Sequence, residues 1–145
     1  MTIVQKDPLH ILKLYGLKRT KVRRLVLETF LNVDHAMSQP VVEEALGFIE
    51  NRVTVYRVLK DLETAGIIHR VVHLNGTVLF ALCSDCTVHE HRHDQHVHFT
   101  CTICDKIYCL ERFHLPKIDA PQGFNIHTIY LNATGLCQNC SQEEG

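Results

Sequence analysis

The chain contains no tryptophan and only two methionines, and no run of it approaches the roughly 18 apolar residues of a membrane-spanning helix. A helical membrane protein is excluded. An excess of either charge is missing too: Lys and Arg total 15 against 16 Asp and Glu, a net charge of −1, and 46% of residues are apolar. That balance rules out both a uniformly basic nucleic-acid coat and a disordered polyelectrolyte. The N-terminal stretch MTIVQKDPLHILKLYG sets Lys6, Asp7 and Pro8 ahead of any long apolar segment, so it lacks the hydrophobic core of a secretory signal. A soluble protein of the reducing cytoplasm, with no membrane partner, is expected. At 145 residues there is room for one domain or for two of about 70 residues each.

Against these absences stand eleven His and seven Cys. Under reducing conditions, paired cysteines serve metal or redox chemistry more often than disulfides, and an odd count leaves at least one outside any set of pairs. Residues 1–30 hold seven Lys and Arg against two acids, a local +5; from Ile67 onward five bases face eight acids, and nine of the eleven His lie there. The near-neutral total is an average over a basic head and a mildly acidic, His- and Cys-rich tail.

Helical spacing dominates the first 66 residues. LHILKLYG reads as a short helix with Leu9, Leu12 and Leu14 apolar and Gly16 as its stop. TKVRRLVLETFLNV carries Val22, Leu25, Val26, Thr29, Phe30 and Val33 at helical intervals. Ser38 followed by Gln39-Pro40 opens a third helix, PVVEEALGFI, with Val41, Val42, Ala45, Leu46 and Ile49 on one face. Asn51 caps a fourth, RVTVYRVLKDLETA, which buries Val55, Val58, Leu59 and Leu62 and stops at Gly66. The period then changes: IIHRVVHL and TVLFALC are strand-like, and Asn75-Gly76 between them suits a tight type I′ hairpin. Helices followed by a hairpin outline a winged helix, whose last helix enters the DNA major groove. Beyond a polar, His-laden connector, VHFTC, KIYCL and NIHTIYLN read as three strands of a small α+β domain, with room for a short helix at 112–117.

Three motifs carry chemistry. Cys101-x2-Cys104 and Cys137-x2-Cys140 form two CxxC knuckles 32 residues apart. Four thiolates at tetrahedral reach suit Zn2+ in a closed structural site; the alternative, a thioredoxin-like redox pair, needs a βαβ setting that neither pair has. Next, His96-x-His98 on a strand points two imidazoles to one face, where both can meet one ion, while His89, His91 and His93 are either solvated or accessory ligands. Lastly, Arg52, Thr54, Tyr56 and Arg57 fall in the first two turns of the fourth helix, where a recognition helix meets base edges and phosphates, and Lys18, Arg19, Lys21, Arg23 and Arg24 supply phosphate-facing charge. HExxH, HxE…PCxxC and nucleophile-elbow patterns are missing, which argues against an enzyme.

Together these segments resemble the ferric uptake regulator family of bacterial metal-sensing repressors. GLKRTKVRRLVL is similar to its opening helix, NRVTVYRVLKDLETAGII to its recognition helix and the start of its wing, and HVHFTCTIC with the later CxxC to its dimerisation domain. The resemblance implies an α+β chain: a winged-helix DNA-binding domain at 1–83, a His/Cys-rich connector at 84–95, and a small α/β dimerisation domain with a zinc knuckle at 96–145. It also implies a homodimer on double-stranded operator DNA, with Tyr56 and Arg57 as contacts and Lys18, Thr20, Arg23, Arg52 and Thr54 as further candidates.

The likeness is strongest to the zinc uptake regulator branch. There the hinge site is built from a residue just after the recognition helix, a Cys ending the second wing strand and the HxH pair, which correspond to His69, Cys83, His96 and His98. One thiolate with three imidazoles favours tetrahedral Zn2+, whereas iron and manganese sensors replace the Cys with a carboxylate, which Ala81 does not offer. About two Zn2+ per chain are implied, one structural and one regulatory, with Fe2+ or Mn2+ as alternative regulatory metals. Cys86, His89, His91, His93, Cys109, Glu111, His114 and His127 stay unassigned. Because His69 belongs to the first domain and His96 and His98 to the second, one ion tying them would make domain orientation zinc-dependent. It would set two recognition helices about 34–36 Å apart, one turn of the operator. The expected function is zinc-dependent repression of metal-uptake genes. The alternatives are a peroxide- or iron-sensing repressor of the same family, and a zinc-binding enzyme or metal buffer.

Overall fold

In the computed structural model, which describes residues 7–82, 97–110, 118–127 and 131–143, three of the first four helices begin at a side chain that satisfies an otherwise orphaned amide. Asp7 accepts from the Leu9 amide at 3.0 Å and, with Pro8 in the first position, starts α1 (Pro8–Leu14). Thr20 Oγ1 accepts from the Arg23 amide at 3.3 Å and starts α2 (Lys21–Leu31). Asn51 accepts from the Val53 amide at 2.7 Å and starts α4 (Arg52–Ala65), which closes on Gly66 in the left-handed region. Helix α3 (Gln39–Ala45) differs, because Ser38 makes no side-chain cap bond. Gln39 Nε2 instead donates to Glu43 Oε1 at 2.9 Å and to the Arg52 carbonyl at 3.0 Å, which fastens α3 to the start of α4.

The third helix is shorter than its apolar spacing suggests. Gly47 and Phe48 both take left-handed backbone, with φ of 68° and 56°, and the Phe48 amide donates back to the Glu43 carbonyl at 3.0 Å. This Schellman-type closure ends the helix before Ile49 can join its face. Of the five residues expected on that face only Val42 is fully buried; Ile49 is 78% exposed. In α2 the buried positions are Val26, Leu27 and Phe30, so Leu27 enters the core although the expected stripe omitted it. The α4 face is as expected, with Val55, Val58, Leu59 and Leu62 buried. These side chains join Leu12, Met37, Ile68 and Phe80 in one core, where each large aliphatic contributes about 1.5–3 kcal/mol through burial.

The wing is an antiparallel hairpin of β1 (Ile68–Val72) and β2 (Val78–Leu82), registered from Ile68 opposite Leu82 to Val72 opposite Val78. Its turn is not the two-residue type I′ form. The Gly76 amide donates to the His73 carbonyl and the His73 amide to the Thr77 carbonyl, both at 2.8 Å. Gly76 alone takes positive φ, 88°, and Asn75 does not. That is a three-residue loop closed by a glycine bulge, and the Asn75 side chain instead accepts from the Thr77 amide at 2.9 Å. Met37 and Phe80 exchange two backbone hydrogen bonds of 2.8 Å, adding a short third rung to the wing.

Contacts divide the chain into two compact units, Met1–His91 and Arg92–Gly145. The second is organised by a three-stranded sheet in the order β4-β3-β5, made of β3 (Val97–Cys101), β4 (Ile107–Leu110) and β5 (Leu131–Gly135). β3 pairs antiparallel with β4 and parallel with β5, so the sheet is mixed and β3 is its central strand. Of the expected third strand, Leu131 and Asn132 pair within LNATG and residues 125–127 lie outside any strand, while 128–130 fall outside the described residues. Gly135 sits opposite Cys101, and the Phe99 ring approaches to 3.3 Å of where a Cβ would stand, so a residue without a side chain fits best there. A short helix, α5 (Gln138–Glu143), follows. The helix expected at 112–117 and the connector at 84–95 fall outside the described residues. Among the described residues no helix is long and apolar enough to cross a membrane.

Candidate metal centre and nucleic-acid interface

The parallel pairing of β5 with β3 brings the two CxxC knuckles together. Cys101 ends β3, and the chain turns back over Asp105, whose amide donates to the Cys101 carbonyl at 3.0 Å with φ of 60°. The Thr102 amide bonds the Gly135 carbonyl at 2.8 Å, which anchors the end of β5 and delivers Cys137 and Cys140 at the start of α5. The four Sγ atoms all lie within 4.8 Å of one another. All four are thiols. Cys104 and Cys137 Sγ are 3.8 Å apart, and Zn–S bonds of about 2.3 Å at tetrahedral angles require about 3.8 Å between sulfurs. The donor set and its spacing thus fit a zinc ion, with Cys101, Cys137 and Cys140 buried and Cys104 exposed at the edge.

The electrostatics prepare the site unevenly. Hydrogen bonds from the backbone of Cys104 and then Cys137 lower the Cys101 thiol to about 6, and the Cys137 amide approaches Cys101 Sγ at 3.4 Å. Cys140 moves the other way, pushed up to about 12 by its hydrogen bond with the Cys137 thiol and by burial. At neutral pH the metal-free cluster therefore holds an anionic Cys101 beside a protonated Cys140, and a divalent cation must displace protons to gain its remaining thiolates. Zinc loading near pH 7.5 should release protons, which a pH indicator in weak buffer measures. Acidification should weaken zinc binding, because protons compete with the ion for the thiolates.

The expected regulatory ligands are partly visible. His69 lies on β1, paired with Ala81 and buried in the first unit. His98 lies on β3 of the second unit, opposite Cys109 of β4. Cys83 and His96 fall outside the described residues, as do Cys86, His89, His91, His93, Glu111 and His114. Directly opposed residues of antiparallel strands present their side chains on one face. A His98 ring nitrogen and Cys109 Sγ accordingly lie within 4.8 Å of each other. Cys109 had no assignment from spacing alone; the signal that finds it is the cross-strand register.

The basic head resolves into two groups. On α4, Arg52, Tyr56 and Arg57 are exposed and Thr54 is half-buried, on the side away from the core. Lys18 is exposed before α2, while Thr20 uses its hydroxyl as the α2 cap. Arg23 is engaged within the unit: Nη2 meets Asp61 of α4 at 2.8 Å and Nη1 donates to the Lys18 carbonyl at 3.1 Å. Arg24 pairs with Glu28 one turn along at 2.7 Å. Of the cations assigned to DNA, Arg23 is thus also a brace between α2 and α4.

Comparison with known proteins agrees with this architecture. The model of the "Ferric uptake regulator family" matches residues 15–133, from the end of α1 to within β5. The chain belongs to the ferric uptake regulator family. It is 31% identical to the ferric uptake regulation protein of Bordetella parapertussis, over 90% of this chain and 94% of that one. The iron-containing structure of the ferric uptake regulator from Francisella tularensis superposes with a TM-score of 0.57 at 32% identity, covering 87% of this chain and 96% of that one. A zinc uptake regulator complexed with zinc and DNA shares the fold, with a TM-score of 0.61 at 21% identity over 93% of this chain and 91% of that one. As a member of the ferric uptake regulator family the protein is a metal-responsive transcription regulator and not an enzyme.

Proposed function

We propose that this family member is a zinc-responsive, DNA-binding repressor of metal-uptake genes, acting as a cytoplasmic homodimer on a two-fold operator. The observation that carries the choice of metal is the pairing of His98 with Cys109 in the β3–β4 register. An imidazole beside a thiol offers the mixed nitrogen and sulfur donors that Zn2+ prefers, whereas Fe2+ and Mn2+ sites favour harder oxygen ligands. His69, Cys83, His96 and His98 are the proposed regulatory ligands, and Cys109 is a second sulfur donor at the His98 position. Cys101, Cys104, Cys137 and Cys140 are the proposed structural ligands, giving about two zinc ions per chain. An iron-responsive regulator is the second reading, favoured by identity above 30% to proteins named for ferric uptake.

Elemental analysis of protein purified with and without a mild chelator tests the choice. Two zincs per chain, one removed by the chelator and one retained, support the proposal. A single retained zinc with reversible uptake of Fe2+ alone would favour the iron reading.

Lys18, Thr20, Arg23, Arg52, Thr54, Tyr56 and Arg57 are the proposed DNA contacts. Each well-placed side chain on a base edge is worth about 1–3 kcal/mol, so Arg57→Ala or Tyr56→Ala should weaken operator binding by roughly 5- to 150-fold. Both side chains are exposed, so zinc content and dimerisation should stay unchanged. Fluorescence anisotropy with labelled operator, read beside elemental analysis, checks both parts.

A further inference from the structure

Helix α4 carries two stripes at i, i+3, i+4, i+7 spacing. One, Val55, Val58, Leu59 and Leu62, is the buried face. The other, Val53, Tyr56, Arg57 and Lys60, faces outward, and all four of its residues are exposed. Its C-terminal half is cationic, whereas its N-terminal half is apolar: Val53 is 54% and Tyr56 51% exposed. Val53 is the odd member, since a β-branched residue is a poorer helix former than alanine and gains little from burial here. The Asn51 side chain caps the Val53 amide at 2.7 Å, so this first turn is held in place.

We infer that Val53 is a base-reading residue, whose methyl groups contact the C5-methyl of a thymine in the operator major groove. The inference rests on α4 being the DNA-reading helix of the proposed function. The N-terminal turns of a recognition helix are the ones that reach base edges, and the exposed cations Arg52 and Lys60 on the same helix complement the phosphates. A side chain of two methyls cannot hydrogen-bond, and among the groups displayed in the major groove only the thymine methyl offers it an apolar partner. Val53 therefore selects thymine at one position of each half-site, while Arg57 and Lys60 supply charge farther along the same stripe.

The test uses the metal-loaded full-length dimer and duplexes selected by it from a random pool, with each thymine replaced singly by deoxyuridine, which removes only the C5-methyl. Loss of one buried methyl contact corresponds to roughly a fourfold weakening. Wild type should lose about that much at one thymine per half-site. Val53→Ala should lose a similar amount on the parent duplex and be indifferent to uracil at that thymine, while keeping the wild-type response at every other thymine. Val53→Thr, which retains one methyl, should restore part of the response. If uracil costs Val53→Ala as much as wild type at every thymine, Val53 does not read a base and the inference fails. If instead Arg57→Ala leaves binding to all duplexes unchanged, α4 is not the reading helix and the underlying proposal fails with it.

Discussion

Cys101→Ser is expected to unfold the C-terminal unit, remove one zinc per chain and abolish the dimer. The reason is that three of the four metal ligands are themselves buried core residues of this unit. Cys101, Cys137 and Cys140 form its buried cysteine cluster, with Phe99 and Tyr108 packed against it. Structural zinc contributes about 10–16 kcal/mol in small zinc-folded peptides, as much as the 5–15 kcal/mol stability of a whole domain. Among the described residues of this unit, only Val97 and Ile107 are buried besides the three cysteines. The N-terminal unit has its own core around Phe30, Leu59 and Ile68 and should keep its helices. Size-exclusion chromatography, circular dichroism and zinc analysis together measure the effect; a dimeric Cys101→Ser protein with full zinc content would show that the four-cysteine cluster is not what holds the unit.

Variants of the proposed regulatory ligands should behave in the opposite way. Cys83→Ser and His98→Ala should leave a folded dimer that retains one zinc, and should lose the metal dependence of operator binding. Converting a protein from 1:99 to 99:1 in favour of its DNA-competent state needs about 5.5 kcal/mol of differential metal affinity, and measured couplings between sites are more often 1–3 kcal/mol. A roughly 5- to 150-fold loss of zinc-stimulated affinity is therefore expected. Cys109→Ser tests the second sulfur: if it matches Cys83→Ser in zinc content and DNA binding, both thiols serve the site. By reciprocity, operator DNA should tighten the chelatable zinc of the wild type and not that of these variants.

Much of this was legible in the residues, and the misses share a physical cause. Asn51 as a cap, Gly66 as a stop and the buried stripe of α4 are local features, decided within a few residues of chain. The paired CxxC spacing is likewise specific, because four cysteines so placed suit one tetrahedral metal ion. What failed was decided by hydrogen bonds between distant or irregular segments. The apolar run of α3 continues past Ala45, but the Phe48 amide closes on Glu43 and ends the helix. Asn75-Gly76 satisfies the pattern of a two-residue turn, yet the hairpin places only Gly76 in the left-handed region. β-branched Ile126 looks like strand but lies outside one, and the described strand runs on to Gly135 beside Phe99, three residues past the expected end.

The functional residues divide in the same way. Residue type marks Arg23 as a cation for phosphate; its additional role as a brace, through Asp61 38 positions away, emerges only when α2 packs on α4. Cys109 lies 11 residues from His98 along the chain, and nothing in that interval fixes the antiparallel register that opposes them. Spacing finds ligands within one turn or one knuckle; it does not find those that a sheet brings together.

The most direct measurement is operator binding at buffered free zinc, set against the same titration with Fe2+, for wild-type protein treated with a chelator mild enough to leave one zinc per chain. This protein should bind the operator weakly, and zinc alone should restore tight binding. Tight binding before any metal is returned, or restoration by Fe2+ and not by zinc, would contradict a zinc-responsive repressor.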